Sequence, residues 1–343
     1  MKKFLLTLFA VVACSVAVNA SVYGDVNGDG AVTVADATAI YNYLLSEDET
    51  FLATCDVDGD GFVTVADITI IYNVILGSES PVEPPAPVTE YTVNGVTFKM
   101  VEVEGGTFMM GVDQQVGYAY PAHEVTLSTY SIGQTEVTQE LWVAVMGSNP
   151  SYFNEYGNAD VHSSHNSWDA GINLQRPVDY VNYGECLAFC AKLNEMTGLN
   201  FRIPTEAEWE FAARGGNLTH GYEYAGSENV NDVAWWKETI PSPTLWTDGW
   251  GTQTVATKAP NELGIYDMSG NVEEWCYDWF AAYSSTAEPL TNPTGPATGT
   301  QRAKRGGTCT NQYAYSLIVY YRQPQNPDAR GNTRGLRLAL SAE

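Results

Sequence analysis

The stretch TEAEWEFAARGG, residues 205–216, has both the start signal and the stop signal of a helix. Thr205 and Glu208 have the spacing of a capping box, in which the side chain of each residue accepts a hydrogen bond from the backbone N–H of the other. Gly215 follows the last helical residue and can end the helix. The sequence therefore predicts a short, well-bounded helix here.

Around this helix the chain alternates short strand-like runs, aromatic residues and glycines. Two further helical stretches, VTQELWVAVMG and YGECLAFCAKLNEMTG, end in Gly147 and Gly198. Earlier, VNGVTFKMVEVEGGTFMMG places Asn94-Gly95 between alternating segments, a pattern typical of a β-hairpin. The pattern alone predicts an irregular α+β domain from Tyr91 onward.

Four stretches of this domain, in chain order, are IGQTEVTQELWVAVMGSNPSYF, FRIPTEAEWEFAARGG, NELGIYDMSGNVEEW and RAKRGG…YYR…NPD…GLRLAL. They resemble the formylglycine-generating enzyme family, also called the sulfatase-modifying factor family, over residues 91–343. The resemblance implies a loop-rich α+β fold related to C-type lectins. Some family members oxidise a sulfatase cysteine to formylglycine with copper, others are iron enzymes of thiohistidine synthesis, and others are non-catalytic binding domains.

The resemblance implies a structural calcium ion in the stretch DMSGNVEE. The ligands carried over are the side chains of Asp267 and Glu274 and the carbonyls of Gly270 and Val272. Hard oxygen ligands of this kind suit calcium. The alternative is a capped turn in which Glu274 is salt-bridged. The tryptophan that family members usually place before this glutamate is Glu273 here.

The family's copper site implies two cysteines after the motif Arg305–Gly307. Counted from the glycine pair, those positions carry Asn311 and Ser316, and the nearest thiol is Cys309. Cu(I) prefers soft thiolate ligands, and one thiol cannot form the pair. We therefore expect a domain without copper, in which Cys309 is the weak candidate for any residual catalysis.

The remaining cysteines have structural interpretations. Cys186 and Cys190 lie four residues apart on a predicted helix, so we expect both in the core. Cys276 and Cys309 are expected to form a disulfide, and Cys55 is expected to be a free thiol.

Two nearly identical acidic loops precede this domain, DVNGDGAVTVAD at 25–36 and DVDGDGFVTVAD at 56–67. Each has oxygen-bearing side chains at positions 1, 3, 5 and 12, a backbone carbonyl at position 7 and glycine at position 6, which is the pattern of an EF-hand calcium loop. Thr33 and Thr64 occupy position 9, which commonly holds calcium through water. The predicted ligands are Asp25, Asn27, Asp29, the carbonyl of Ala31 and Asp36 in the first loop, and Asp56, Asp58, Asp60, the carbonyl of Phe62 and Asp67 in the second.

Each loop is followed by one apolar helical segment, ATAIYNYLL or ITIIYNVIL. This repeat of loop and helix, over residues 24–77, resembles type I dockerins, the calcium-dependent docking modules of cellulosome-like enzymes. The resemblance implies a cohesin-like partner, and the near two-fold symmetry of the repeat allows two docking orientations. The expected contact residues, within the Thr-Val-Ala-Asp of each repeat, are Val34, Ala35, Val65 and Ala66.

The chain is thus expected to have four parts. Residues 1–20 are typical of an export signal cleaved after Ala20, although a competing cut would leave Cys14 for lipidation. The docking module spans 21–77, a proline-rich linker spans 78–90, and the main domain spans 91–343. No later apolar stretch is long enough for a transmembrane helix. A secreted or cell-surface location is expected.

The net charge and the motifs narrow the range of possible functions. The net charge of −25 speaks against a nucleic-acid partner, which requires a basic surface. His162 and His165 form an H-x-x-H pair in a polar loop, which we interpret as solvated. Three functions follow: a non-catalytic accessory subunit of an extracellular assembly that binds a glycan or a protein, a sulfatase-modifying oxidase with a degenerate copper site, and a structural spacer in an assembly for polysaccharide breakdown. We favour the first.

Overall fold

The computed structural model describes two units of the chain, divided between Pro85 and Ala86. The last residues of the predicted linker, 78–90, belong to the main unit, because Ala86 is buried and the first strand begins at Val88. The predicted export signal lies outside the described residues. The described residues are 26–27, 32–45, 55, 57, 63, 65–75, 86–114, 118–153, 173–241, 250–284 and 289–341.

The small unit contains two packed helices, α1 (Val34–Leu45) and α2 (Val65–Ile75). Both begin three residues before the segments predicted from apolar spacing, so the last acidic residue of each loop lies in the first helical turn. A core this small buries little apolar surface, which makes ligand binding an important source of stability. Among the described residues of this unit, the buried apolar ones are Ala37, Ile40, Cys55, Val57 and Ile71.

The main unit has short strands and short helices joined by long irregular segments. Its strands are β1 (Val88–Val93), β2 (Val96–Val103), β3 (Gly106–Met110), β4 (His123–Leu127), β5 (Tyr130–Gly133), β6 (Phe201–Arg202), β7 (Glu273–Trp279), β8 (Leu290–Thr291), β9 (Arg302–Arg305), β10 (Gln323–Gln325), β11 (Arg334–Gly335) and β12 (Ala339–Ser341). Its helices are α3 (Gln139–Met146), α4 (Tyr183–Thr197), α5 (Glu206–Ala213) and α6 (Val230–Val233).

These strands form three sheets. The five-stranded sheet has the order β1-β2-β5-β12-β6 and is antiparallel throughout, so strands from both ends of the unit meet in it. The four-stranded sheet has the order β10-β9-β7-β11, with β11 parallel to β7. The three-stranded sheet has the order β3-β4-β8, with β8 parallel to β4. The predicted α+β class is confirmed.

Local sequence signals explain several boundaries. The hairpin β1–β2 turns at Asn94 and Gly95, whose φ angles of 47° and 84° are both in the left-handed region that an Asn-Gly turn accommodates. Helices α3 and α4 end at Gly147 and Gly198, again with positive φ. The capping box at the start of α5 is present, with Thr205 as the N-cap.

The apolar core has two main parts. Helices α3 and α4 pack on the five-stranded sheet, where Trp142 and Phe189 stack with ring centroids 4.9 Å apart. Helix α5 packs against β3, β7 and β9, and all eight of its residues are buried. Three of these eight are glutamates, so the fold must compensate their charges. None of the helices in the described part of the chain is both long and apolar enough to span a bilayer.

Candidate functional site

The buried glutamates of α5 are paired with arginines. Glu206 accepts hydrogen bonds from Arg305 Nε at 2.9 Å and Arg322 Nε at 2.6 Å, and Glu210 accepts from Arg305 Nη2 at 2.8 Å. Burial alone would raise the pKa of Glu206, but the Arg322 and Arg305 guanidinium groups lower it. The network ties β9 and the segment after it to the helix. This ion-pair network was not predicted from the sequence, because glutamates at alternate positions of a helix are usually exposed to solvent.

The turn that carries the predicted calcium ligands is held by a second ion pair. Both oxygens of Glu274 are engaged: Arg337 Nη2 lies 2.8 Å from Oε1, and Trp209 Nε1 donates to Oε2 at 2.7 Å. The side chains of Glu274 and Arg337 are completely buried. Glu274 therefore has the salt-bridged arrangement of the alternative interpretation.

Asp267 is the better-placed ligand of the predicted set. Its Oδ2 accepts from the Ala256 N–H at 2.8 Å, whereas Oδ1 is buried without a hydrogen-bond partner among the described residues. Burial raises the pKa of Asp267 to about 6. An unpartnered buried oxygen fits a cation ligand, but Glu274 is already neutralised.

Nearby backbone and amide groups of the same turn bind another carboxylate. Glu136 accepts from Asn271 Nδ2 at 2.8 Å and from the Val272 N–H at 3.0 Å. Within the described ranges, no three His, Cys, Asp or Glu side chains are grouped so that they could hold a metal ion. The main-unit calcium at Asp267, Gly270, Val272 and Glu274 therefore stays a prediction.

The two positions that match the copper-binding cysteines of the family come together in space. Asn311 and Ser316 line one small cavity of about 20 Å³, beside Gly307. Asn311 Oδ1 accepts from the Thr308 N–H at 2.6 Å, which orients the amide within the turn. The donors offered here are an amide and a hydroxyl, which do not suit Cu(I). The described residues of this cavity do not fit copper.

The same cavity is strongly charged. Glu273, which stands where family members usually have tryptophan, lines it together with Lys304 and Arg305. Glu273 Oε1 accepts from Arg334 Nε at 2.7 Å, and Oε2 pairs with Lys304. A compensated ion-pair cluster therefore surrounds the positions where thiolates would be required.

Cys309, the weak catalytic candidate, is completely buried beside Ile240 and Trp250. Burial raises the pKa of its thiol, and the Asp179 and Glu136 carboxylates raise it further. Such a thiol is a poor nucleophile and a poor metal ligand, since both roles require the thiolate.

The expected disulfide between Cys276 and Cys309 is wrong. Both thiols are free and buried, and they belong to separate apolar clusters. Cys276 belongs to β7 and is completely buried in the apolar core, where it packs without a disulfide bond. The core positions expected for Cys186 and Cys190 are confirmed, since both are buried among the residues that pack α4 on its sheet.

Three of the predicted dockerin ligands lie among the described residues. Asp36 is buried and accepts from the Asn27 N–H at 3.0 Å and the Thr33 N–H at 2.8 Å. Asp67 is likewise buried and accepts from the Val57 N–H at 2.6 Å. Each carboxylate thus accepts hydrogen bonds from backbone N–H groups that precede its helix. The other predicted ligands, Asp25, Asp29, Ala31, Asp56, Asp58, Asp60 and Phe62, lie outside the described residues, as do Thr64 and the pair His162 and His165.

The predicted docking residues of the first repeat, Val34 and Ala35, are exposed at the start of α1. The side chains of Val65 and Ala66 lie outside the described part. Five further exposed apolar residues of α1 and α2 were not predicted: Tyr41, Leu44, Leu45, Tyr72 and Ile75. In a short amphipathic helix only the structure shows which apolar residues the small core leaves uncovered.

Family models match both units. The dockerin type I domain matches residues 23–76, and the sulfatase-modifying factor enzyme 1-like domain matches residues 87–342. Dockerin domains in general bind calcium and cohesins. The resemblances recognised in the sequence are confirmed.

Individual relatives cover most of the main unit. The chaperone protein LppX of Paenibacillus barcinonensis is 33% identical over 274 residues, 72% of this chain and 90% of that protein. The formylglycine-generating enzyme of Streptomyces coelicolor is 29% identical over 289 residues, 71% of this chain and 89% of that enzyme.

Solved structures show the same architecture. Treponema denticola variable protein 1 has a TM-score of 0.62 and 32% identity, covering 74% of this chain and 99% of that chain. The structure of PvdO from Pseudomonas aeruginosa has a TM-score of 0.60 and 22% identity, covering 76% of this chain and all of that chain. The fold is therefore the C-type lectin-like α+β fold that the resemblance implied.

Proposed function

The chain belongs to the sulfatase-modifying factor enzyme 1-like family and has a type I dockerin domain before that domain, and from this premise we propose that it is an exported, calcium-dependent docking subunit whose main unit binds a ligand without oxidising it. The dockerin attaches the protein to a cohesin-like partner. The main unit serves as an accessory domain of that assembly, which we propose acts on polysaccharide.

One observation supports the non-catalytic role: Asn311 and Ser316 occupy the two matched positions and line one cavity. An amide and a hydroxyl thus stand where copper would require thiolates. Without two soft ligands a copper ion is not held, and oxygen activation has no metal to proceed on. One relative that covers the main unit is named a chaperone protein.

Residual oxidation through Cys309 is the competing function. Its thiol is fully buried and its pKa is raised, so it offers no thiolate to copper or to a substrate peptide. The structure of this region therefore gives no support for a degenerate oxidase.

The proposed lack of oxidase activity is tested with a sulfatase-type cysteine peptide, copper, oxygen and reductant, with the products read by mass spectrometry. No conversion to formylglycine is expected, whereas the Streptomyces coelicolor enzyme, run in parallel, provides the positive control. Conversion that disappears in a Cys309→Ser variant would contradict the proposal.

The docking role is tested separately by capturing secreted proteins on the immobilised full chain, with calcium or with chelator. A cohesin-like protein is expected in the calcium sample alone. The matched control is the Asp36→Asn/Asp67→Asn variant, which removes the last carboxylate of each loop and should capture nothing in either condition. Equal capture by this variant would contradict calcium-dependent docking.

Export and attachment outside the cell are part of this proposal. They are supported by the signal pattern of residues 1–20 and by the dockerin, a module of extracellular assemblies. Mass spectrometry of the protein recovered from the medium distinguishes cleavage after Ala20 from lipidation at Cys14.

A further inference from the structure

A groove in the main unit lies apart from the cavity of Asn311 and Ser316. It has a volume of about 490 Å³ and opens where the five-stranded sheet, the three-stranded sheet and the start of α5 meet. Its residues come from five separate parts of the chain, including the β4–β5 turn and the segment after β8. We name it the hydroxyl groove, because five of its residues are serine or threonine: Ser128, Thr129, Thr205, Thr294 and Ser341.

The floor of the hydroxyl groove is an internally neutralised ion pair. Arg202 Nη1 and Nη2 each donate to one oxygen of Glu208 at 2.7 Å, a two-point, planar arrangement. Arg202 Nε also donates to Ser341 Oγ at 3.2 Å. The guanidinium and the carboxylate neutralise each other, so the floor presents polar groups without a net charge. Such a floor suits an uncharged polar ligand.

The rim of the groove is ordered before any ligand binds. Asn292 Oδ1 accepts from the Ser128 N–H at 2.8 Å, and Asn292 Nδ2 donates to Ser128 Oγ at 3.0 Å. These bonds join the turn after β8 to the β4–β5 turn across a large separation in sequence. Preorganised polar groups lose little conformational entropy on binding.

One wall is an aromatic ring. Tyr277 is 44% exposed although it belongs to β7, most of whose residues are buried. Its backbone N–H donates to the Pro204 carbonyl at 2.9 Å, and its carbonyl accepts from the Tyr183 hydroxyl at 3.3 Å. The guanidinium carbon of Arg302 lies 5.7 Å from the ring centroid. The backbone of Tyr277 is therefore held at two points, and much of the residue remains open to a ligand.

These features together select one class of ligand. A phosphate or an acidic ligand would require an unpaired cation, but Arg202 is already paired with Glu208, and the chain carries a net charge of −25. A purely apolar ligand would cover hydroxyl, amide and ion-pair groups, because eight of the eleven lining residues are polar or charged. A pyranose ring has both an apolar face, which packs on an aromatic side chain, and equatorial hydroxyls, which bond to polar groups.

We infer that the hydroxyl groove binds a neutral polysaccharide chain, with a sugar ring packed on Tyr277 and its hydroxyls directed at the Arg202–Glu208 pair. The inference rests on the proposed role of the main unit as a binding domain and names its ligand class. Binding at this groove places a docked assembly on its polysaccharide.

The test uses the full chain in calcium and isothermal titration with cellohexaose, xylohexaose, mannohexaose and maltohexaose, with hexagalacturonic acid as the acidic comparison. At least one neutral oligosaccharide is expected to bind, with affinity reduced about tenfold or more by Tyr277→Ala. Tyr277→Phe keeps the ring and should retain binding. The matched control is Tyr313→Ala, which removes a tyrosine ring that is 62% exposed outside the groove and should leave the affinity unchanged.

Three outcomes would overturn the inference. The first is that no neutral oligosaccharide binds, and the second is that hexagalacturonic acid binds preferentially. The third is that Tyr313→Ala abolishes binding whereas Tyr277→Ala leaves the affinity unchanged. If Tyr277→Ala fails to fold, Thr294→Met replaces it, because this exposed rim residue can narrow the groove without removing any of its partners. The same samples are tested for calcium-dependent capture of the cohesin-like partner. Retained capture without oligosaccharide binding would overturn the groove ligand alone and leave the docking role intact.

Discussion

Arg337 and Glu274 form an ion pair at 2.8 Å in the interior of the main unit, and neither side chain is exposed to solvent. Arg337 also donates to the Gly133 and Tyr266 carbonyls, at 2.8 and 2.9 Å. One guanidinium group thus links the turn of the predicted calcium site to the five-stranded sheet. A buried charge is stabilised only by a hydrogen-bonded partner of opposite charge, because burial removes the water that would otherwise solvate it.

Removing one partner of this pair should destabilise the main unit strongly. Arg337→Met leaves the Glu274 carboxylate buried with Trp209 as its remaining donor, and we expect a loss of about 3–5 kcal/mol in the free energy of unfolding. The measurement is urea denaturation. The double variant Arg337→Met/Glu274→Gln should lose less than the sum of the two single variants, because it leaves no buried charge. Strict additivity would contradict this account.

The stability of the main unit should depend on pH through Asp179. Burial raises the pKa of Asp179 from 3.8 to about 8, against the effect of hydrogen bonds from the Tyr152 and Phe153 N–H groups. The folded state therefore binds more protons than the unfolded state between these pH values, and its stability falls as the pH rises through them. Relative to Asp179→Asn, the wild type should lose several kcal/mol from about pH 4 to about pH 8 and then level off.

Urea denaturation of both proteins over this pH range measures the difference. The informative quantity is the slope of the difference in unfolding free energy against pH, because the substitution itself adds an offset that does not depend on pH. Asp113→Asn, which alters an exposed aspartate, serves as the control and should track the wild type. A pH-independent difference between wild type and Asp179→Asn would show that the buried group does not titrate as expected.

Calcium should hold the fold of the small unit. Among its described residues only five apolar ones are buried, and Asp36 and Asp67 accept hydrogen bonds from the Thr33 and Val57 N–H groups that precede their helices. Chelation should therefore remove the hydrogen-exchange protection of α1 and α2 in the full chain while α4 stays protected. Mass spectrometry of exchanged peptides provides the measurement. Asp36→Asn should mimic chelation in the first repeat, whereas Asp48→Asn, outside both loops, should not.

Docking should tolerate the loss of one repeat. Two near-identical repeats offer two orientations of comparable affinity, so blocking one removes only half of the bound population. Val34→Glu/Ala35→Glu should weaken binding of the captured partner about twofold, and the same change at Val65 and Ala66 should have the same effect. Blocking both repeats should weaken it about a hundredfold or more. Surface plasmon resonance in calcium distinguishes these cases, and abolition by one blocked repeat would rule out two orientations.

Restoring thiols should restore copper binding. The Asn311→Cys/Ser316→Cys variant places two soft ligands in one cavity, and its Cu(I) affinity should exceed that of the wild type by orders of magnitude. Competition with a chromophoric Cu(I) chelator measures the affinity. Each single variant is the matched control and should bind weakly. If the double variant binds no better than the single variants, the cavity no longer has the geometry of a copper site.

The local features of this protein were predictable from short stretches of sequence. Helix ends at Gly147 and Gly198, the Asn94-Gly95 turn and the capping box of α5 depend on interactions within a few residues. The calcium loops stay a prediction of the same local kind, since their proposed ligands follow one another at fixed spacing. The missing thiols are also a property of sequence, because side-chain chemistry excludes Cu(I) binding before any fold is known.

The arrangement of distant residues was decided by the tertiary structure. Sequence gives no indication that Glu274 binds Arg337, that Arg305 and Arg322 share Glu206, or that Cys276 and Cys309 lie in separate clusters. The hydroxyl groove is assembled from residues that are up to 214 positions apart, Leu127 and Ser341. In a domain with so little regular structure, long-range ion pairs and packing position each loop, and their energies depend on burial and mutual distance, which arise only when the chain has folded.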